Sequence, residues 1–254
     1  MKLDGKVAIV TGAGRGIGRA TALALAREGC STVLASRTQP EIEAVAGEVA
    51  RLGRLALPLG VDVTQEADIA RMAERTLERF GRVDILVNNA GFSIPFKDVV
   101  DLTLAEWNRI LQVNLTGAFL CARAVLPAMI RQRSGKIISI GSLSSFVGFA
   151  GNSAYGASKA GLVMFTRCLA AEVKRHGIDV NAVCPSGTDT RLLEEIGLKK
   201  GRTNLIRPEE IASVVLFLAT ADSSAITGTA IETYGLSNPL FAQTHPSKAA
   251  PVKE

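Results

Sequence analysis

Histidine and cysteine are scarce in this sequence, and that scarcity removes whole classes of chemistry. Only His176 and His245 occur among 254 residues, so a metal centre built on several imidazoles is excluded. The four cysteines, Cys30, Cys121, Cys168 and Cys184, include no Cys-x-x-Cys pair. This rules out a thiolate zinc site and a disulfide scaffold, and it suits a reducing cytoplasm. No run approaches the ~18 apolar residues of a membrane helix, since the longest uncharged stretch, 137–158, is broken by Gly, Ser and Asn. The amino-terminal MKLDGKVAIVTG carries Asp4 and enters a glycine turn after a short apolar run, so it opens a strand and is not a signal peptide. A Pro/Ser-rich linker, a composition shift and a solenoid-length repeat are also missing. Chemistry that needs neither metal nor histidine stays open, hydride transfer among it.

What is present is an apolar fraction of 47% with 24 glycines, enough for a sizeable core and too much for disorder. Lys and Arg number 29 against 24 Asp and Glu, a net charge of +5. The basic residues are dispersed, which reads as a solvated surface and gives no reason to expect nucleic acid or membrane as partner. Short β-branched runs alternate with helical patterns. Strands are expected at 7–10, 32–35, 55–61, 85–87, 136–140, 179–183 and near 230–233. Helices are expected between them, including a long one over 104–131 and another over 154–174, with Gly81 ending the third and Pro208-Glu-Glu starting the last. Such alternation implies right-handed crossovers and a parallel sheet covered on both faces. The expectation is one doubly wound, three-layer α/β/α domain of the Rossmann type over 1–236. The tail 237–254 has no periodicity and is either loose or packed on a neighbouring subunit.

Between the first strand and first helix stands Thr11-Gly-Ala-Gly-Arg-Gly-Ile-Gly18. Gly12, Gly16 and Gly18 let the backbone turn sharply and approach a pyrophosphate whose charge rests on the helix amino terminus, with Arg15 and Ile17 between them. Three glycines at this spacing recur by chance in roughly one such chain in five, so it is the strand-turn-helix context that makes the turn a cofactor site. The second strand ends in Ala35-Ser36-Arg37-Thr38 without the carboxylate that commonly holds an NAD ribose. Arg15 and Arg37 could converge on a 2′-phosphate, which favours NADP(H) over NAD(H); the plain alternative is two surface arginines. Tyr155 and Lys159 lie four apart on one helix face. An ammonium beside a phenol favours the phenolate and brings a general acid/base toward working pH. Ser142, just beyond the strand 136–140, can hold the same carbonyl oxygen.

Together these residues resemble the short-chain dehydrogenase/reductase family, from Lys6 to about Gly235. The turn at Thr11, Asn88-Asn-Ala-Gly91, Asn114, Ser142 and Tyr155-x-x-x-Lys159 fall in the family's order, and 3-oxoacyl reductases look closest. The resemblance implies Tyr155 as general acid/base, Ser142 orienting the carbonyl, and Lys159 lowering the tyrosine pKa and holding the nicotinamide ribose. It further implies that Asn114 places a relay water, against the alternative of a helix-kinking polar residue. Asp62 and Val63 would contact adenine, Asn88, Ala90 and Gly91 would line the cleft, and Pro185, Thr188 and Thr190 would meet the nicotinamide end. The expected substrate is a small carbonyl or alcohol, an acyl-carrier-protein or CoA thioester in the leading reading, with a homotetramer or homodimer as the assembly. Arg133, Lys174 and Arg175 could greet an acidic carrier or merely complement helix dipoles. Ala118, Ala122, Leu162, Phe165 and Leu169 suit either a subunit contact or the core. Phe92, Ser93, Ile94, Ser144, Leu192, Leu193 and Ile196 would shape a mostly apolar substrate pocket. An alcohol, sugar or steroid dehydrogenase, and a non-catalytic cofactor sensor, are the alternatives.

Three departures stand out. Ser186 replaces the family's glycine after Pro185, and serine restricts positive φ. The connection from Thr190 to Arg207 is short, which predicts a less covered pocket. Tyr234-Gly235-Leu236 replaces Asp-Gly-Gly near the substrate site or subunit contact.

Overall fold

A computed structural model describes residues 1–235; the 237–254 tail and Leu236 lie outside the described residues. Seven strands form one sheet: β1 (Val7–Thr11), β2 (Ser31–Ser36), β3 (Ala56–Gly60), β4 (Ile85–Asn88), β5 (Gly135–Ile140), β6 (Ile178–Pro185) and β7 (Ala230–Thr233). Their order is β3-β2-β1-β4-β5-β6-β7, every neighbouring pair parallel. The order reverses between β1 and β4, and at such a switch point the carboxyl ends of the strands open a crevice for a ligand. Pro58 falls in β3, an edge strand that needs fewer ladder donors.

Alternation along the strands builds two cores. Ala8 and Val10 face one layer, packed with Leu25 of α1 (Gly16–Arg27), Ile42 and Val45 of α2 (Gln39–Arg51), and Ile211, Val215 and Leu218 of α8 (Pro208–Ala219). Ile9 faces the other, with Met72 of α3 (Glu66–Phe80), Met129 of α5 (Gly117–Gln132) and Leu169 of α6 (Ser153–Val173). Gly81 ends α3 at φ 72°, its amide bonded to Leu77 O at 2.8 Å, and Pro208 stands in the first turn of α8. Both follow the sequence pattern.

The expected long helix is three pieces in one: α4 (Leu104–Leu111), a π turn over Gln112–Thr116, and α5. A capping box at Thr103 and Glu106 starts it. At 29 residues it is, by length and composition only, long and apolar enough to cross a membrane, and half of its most apolar stretch is buried inside the fold; its longest uncharged run, 110–122, stays short of the ~18 residues of a membrane helix. The short connection after β6 still forms a helix, α7 (Arg191–Glu195). Ser186 is not at positive φ, and its amide donates to Thr233 O at 2.9 Å, so serine is accommodated without strain.

Candidate active site

The strand ends open into a cleft of about 540 Å³. Its floor is the glycine turn, and the close approaches there explain the glycines. A Cβ on Gly18 would sit 2.2 Å from Gly12 O and 2.5 Å from Asn89 Nδ2; one on Gly12 would sit 2.8 Å from the same amide nitrogen. Asn89 Nδ2 donates to Thr11 O (2.8 Å) and Gly12 O (3.1 Å), while Thr11 Oγ1 accepts from the amides of Asn89 and Ala90, both at 3.0 Å. The turn after β1 and the Asn-Asn-Ala-Gly segment after β4 are therefore one hydrogen-bonded unit at the switch point. Thr11 and Asn89 were missed by sequence reasoning; the family pattern names them, but only the fold shows that they bond each other.

Gly12, Arg15, Gly16, Ile17, Ser36, Arg37, Asp62, Val63, Ala90, Gly91, Ser142, Tyr155, Lys159, Pro185, Thr188 and Thr190 all line this cleft. Three expected residues do not. Gly18 lies beneath the turn as a packing position. Asn88 points away from the cleft wall, its Nδ2 donating to Ala118 O at 3.3 Å, because strand alternation turns successive side chains to opposite faces. Asn114 is buried in the π turn: its Oδ1 accepts from Phe92 N (2.8 Å), and its Nδ2 donates to Phe92 O (2.9 Å) and Ser158 Oγ (3.0 Å). Ser158 in turn donates to Tyr155 O at 2.7 Å, so the wide turn, the loop that carries Phe92 after β4 and the start of α6 are tied together. The bent-helix and functional readings of Asn114 thus describe one feature.

Ser142 follows β5 in extended conformation, and its hydroxyl accepts from Ser144 N at 3.1 Å. Tyr155 and Lys159 rise from the first turns of α6 on the same face, with Lys159 Nζ 5.7 Å from the phenol ring centre. Nζ donates to Ile140 O at 2.8 Å, which anchors the ammonium to the end of β5. Burial pushes the Tyr155 phenol up, partly offset by a hydrogen bond with Ser142. Burial lowers Lys159 to about 8. The expectation was a phenol lowered by Lys159; within the chain alone desolvation is the largest influence on it and the shift is upward.

At the other end of the cleft, Arg15 reaches Glu41 Oε1 (3.6 Å) and Glu195 Oε1 (3.7 Å). Arg37 has no ion-pair partner among the described residues. Of the expected pocket residues, Phe92, Ser93, Ser144, Leu192, Leu193 and Ile196 line the cleft and Ile94 does not; Phe96, Phe149, Arg109 and Asn152 also contribute. Arg109 stacks 4.7 Å over Phe92. With four residues of α7 (Arg191, Leu192, Leu193 and Glu195) and Ile196 and Leu198 after it at the wall, this segment lines the side that the short connection was expected to leave less covered.

Two groups of residues that the sequence left open between two readings have definite places in the fold. Arg133 and the Lys174–His176 turn precede β5 and β6, so they sit at the edge of the sheet opposite the cleft and cannot flank it within one chain. Lys174 is also committed to Asp179 at 2.9 Å. Of the five residues that suited either a subunit contact or the core, Ala118, Ala122, Leu162 and Leu169 are buried within the chain and Phe165 is half-buried, while the outer faces of α5 and α6 also present Phe119 and Met164, 41% and 55% exposed.

Comparison with known proteins agrees with this geometry. The model of the short chain dehydrogenase family matches residues 6–201. The chain is 36% identical over 241 residues to the 3-oxoacyl-[acyl-carrier-protein] reductase FabG of Thermotoga maritima, covering 91% of this chain and 97% of that protein. It is 36% identical over 250 residues to (2S)-[(R)-hydroxy(phenyl)methyl]succinyl-CoA dehydrogenase subunit BbsD of Thauera aromatica, covering 95% and 100%. Among solved structures, a 3-ketoacyl-(acyl-carrier-protein) reductase from Brucella melitensis complexed with NADH superposes with a TM-score of 0.85 at 32% identity, covering 91% of this chain and 97% of that one.

Proposed function

The chain belongs to the short-chain dehydrogenase family, an NAD(P)-dependent oxidoreductase acting on CH–OH and C=O groups, and from that premise we propose that it reduces the ketone of a 3-oxoacyl thioester with NADP(H). The observation that carries the reading is the placement of Ser142, Tyr155 and Lys159 at one end of a cleft whose other end is the glycine turn. The residues fit a dinucleotide. A cradle without room for a Cβ at Gly12 or Gly18 accepts a pyrophosphate against backbone amides, and the guanidinium of Arg37 lacks a counter-ion among the described residues. Arg15, Ser36 and Arg37 would hold a 2′-phosphate, Asp62 and Val63 the adenine, and Lys159, Thr188 and Thr190 the nicotinamide end. The bound nicotinamide supplies the hydride.

The chain's own residues do the rest. The Tyr155 hydroxyl, kept protonated by its burial, donates its proton to the ketone oxygen as negative charge develops there, and Ser142 donates a hydrogen bond to the same oxygen. Lys159 sits behind the phenol, fixed by Ile140 O. Below about pH 8 this buried amine keeps its proton, and its positive charge favours the phenolate left when the Tyr155 proton has moved. Both amide hydrogens of Asn114 are committed, so a relay water there rests on oxygen atoms. The thioester assignment follows from two relatives, one reducing a carrier-bound 3-oxoacyl group and one named for a succinyl-CoA substrate. The aromatic mouth of Phe92, Phe96 and Phe149 suits an acyl chain. We read the exposed Phe119 and Met164 on α5 and α6 as a contact in a homodimer or homotetramer, and the four free thiols as those of a cytoplasmic protein.

The test is NADPH oxidation with 3-oxoacyl thioesters, simple ketones and steroid ketones side by side. Thioesters are expected to be turned over fastest; a steroid or sugar ketone outpacing them sinks the substrate assignment. Tyr155→Phe should cost about 10³-fold or more in kcat while NADPH still binds, and retained turnover would overturn the mechanism.

A further inference from the structure

Arg15 stands within the glycine turn at the cleft wall, yet two carboxylates already flank its guanidinium. Glu195 reaches it from α7, across the cleft, with a side chain 47% exposed. Glu41 is different. It projects from the first turn of α2 with a side chain 29% exposed, 3.6 Å from Arg15 Nη1 and 3.9 Å from Arg191 Nη1. It also packs directly on the glycine turn: a Cβ on Gly14 would lie 2.8 Å from both Glu41 Cβ and Oε2. Its carboxylate is thus held in the compartment that Arg15, Ser36, Arg37 and Thr38 line.

A 2′-phosphate entering that compartment meets a fixed negative charge, and it competes with Glu41 for Arg15. A 2′-hydroxyl meets the opposite situation, because a carboxylate accepts its hydrogen bond. The end of β2 carries no acid, so Glu41, five positions after Ser36 on the next helix, is the available acceptor. We propose that Glu41 is a specificity-determining residue that offsets Arg15 and narrows the discrimination between NADP(H) and NAD(H), so that the site accepts both. Arg37 then supplies the remaining selectivity for the phosphate. This rests on the dinucleotide reading above.

The experiment is a titration of wild-type, Glu41→Gln and Glu41→Asp chains with NADPH and NADH by nucleotide fluorescence, with 2′,5′-ADP and 5′-AMP as calorimetric probes. Glu41→Gln should tighten NADPH about tenfold, with 2′,5′-ADP following, while NADH is unchanged or weakened. Glu41→Asp, which keeps the charge, should retain a ratio near wild type. Equal changes in both dinucleotides, or an unchanged ratio in a Gln variant that melts like wild type, overturns the role of Glu41. Failure of the wild-type chain to bind either dinucleotide sinks the underlying cofactor reading instead.

Discussion

At the scale of single residues, the buried amine of Lys159 links chemistry to stability. Its pKa falls from 10.5 to about 8 because burial penalises the ammonium. In the window between those values the unfolded chain binds more protons than the folded one, so this group makes stability rise with pH there. Below about 8 the penalty is fully present. Lys159→Met should therefore be more stable than wild type at neutral pH, by on the order of 2 kcal/mol, with a margin that shrinks as pH rises toward 10. Denaturant melts of both chains at several pH values measure this; a margin independent of pH means that the amine is charged throughout. The Tyr155–Lys159 spacing was fully legible in the sequence, because four residues on a helix define a face. The direction of the tyrosine shift was not, because it depends on how much protein surrounds the pair.

At the scale of elements, the π turn within the long helix decides where Asn114 points. A regular helix would carry the register of α4 unbroken into α5; the wider turn places the Asn114 amide against Phe92 and Ser158. Ser158 passes this on to the first turn of α6, where Tyr155 sits. Ser158→Ala removes one link while leaving the cleft wall intact. It should lower kcat by roughly tenfold, since small misplacements of a proton donor are costly, and leave the Kd for NADPH unchanged. A rise in that Kd with normal kcat would place Ser158 in cofactor binding instead. Helical periodicity showed a helix through this segment. The π turn leaves no signature in apolar spacing, so the partners of Asn114 emerge only when β4, α5 and α6 are packed together. For the same reason the sequence order Asn88-Asn89 could not say which amide holds the glycine turn.

At the scale of the whole molecule, a parallel sheet has two unlike ends, and arginines and lysines stand at both. The carboxyl end carries the cleft, with Arg15, Arg37, Arg109, Arg191 and Arg202 in its walls; the amino end carries Arg133, Lys174 and Arg175, on the connections that lead into β5 and β6. Sequence position alone could not separate these groups, since Arg133 is only nine residues before Ser142 yet a full strand length away in space. The fold makes the separation, and a pair of variants tests it. Arg133→Glu with Arg175→Glu should leave kcat and KM for a CoA thioester within twofold of wild type, because exposed charges at that distance are screened. Arg37→Ser, a single neutralisation at the carboxyl end, should raise the Kd for NADPH about tenfold or more and spare NADH, because it removes a guanidinium with no competing carboxylate partner among the described residues. If the double reversal impairs turnover of the small thioester, then the amino end contributes to a cleft after all. Within one chain the parallel topology forbids that, so the contributing residues would have to come from a second copy, and the loss would fall as the chain is diluted below its association range.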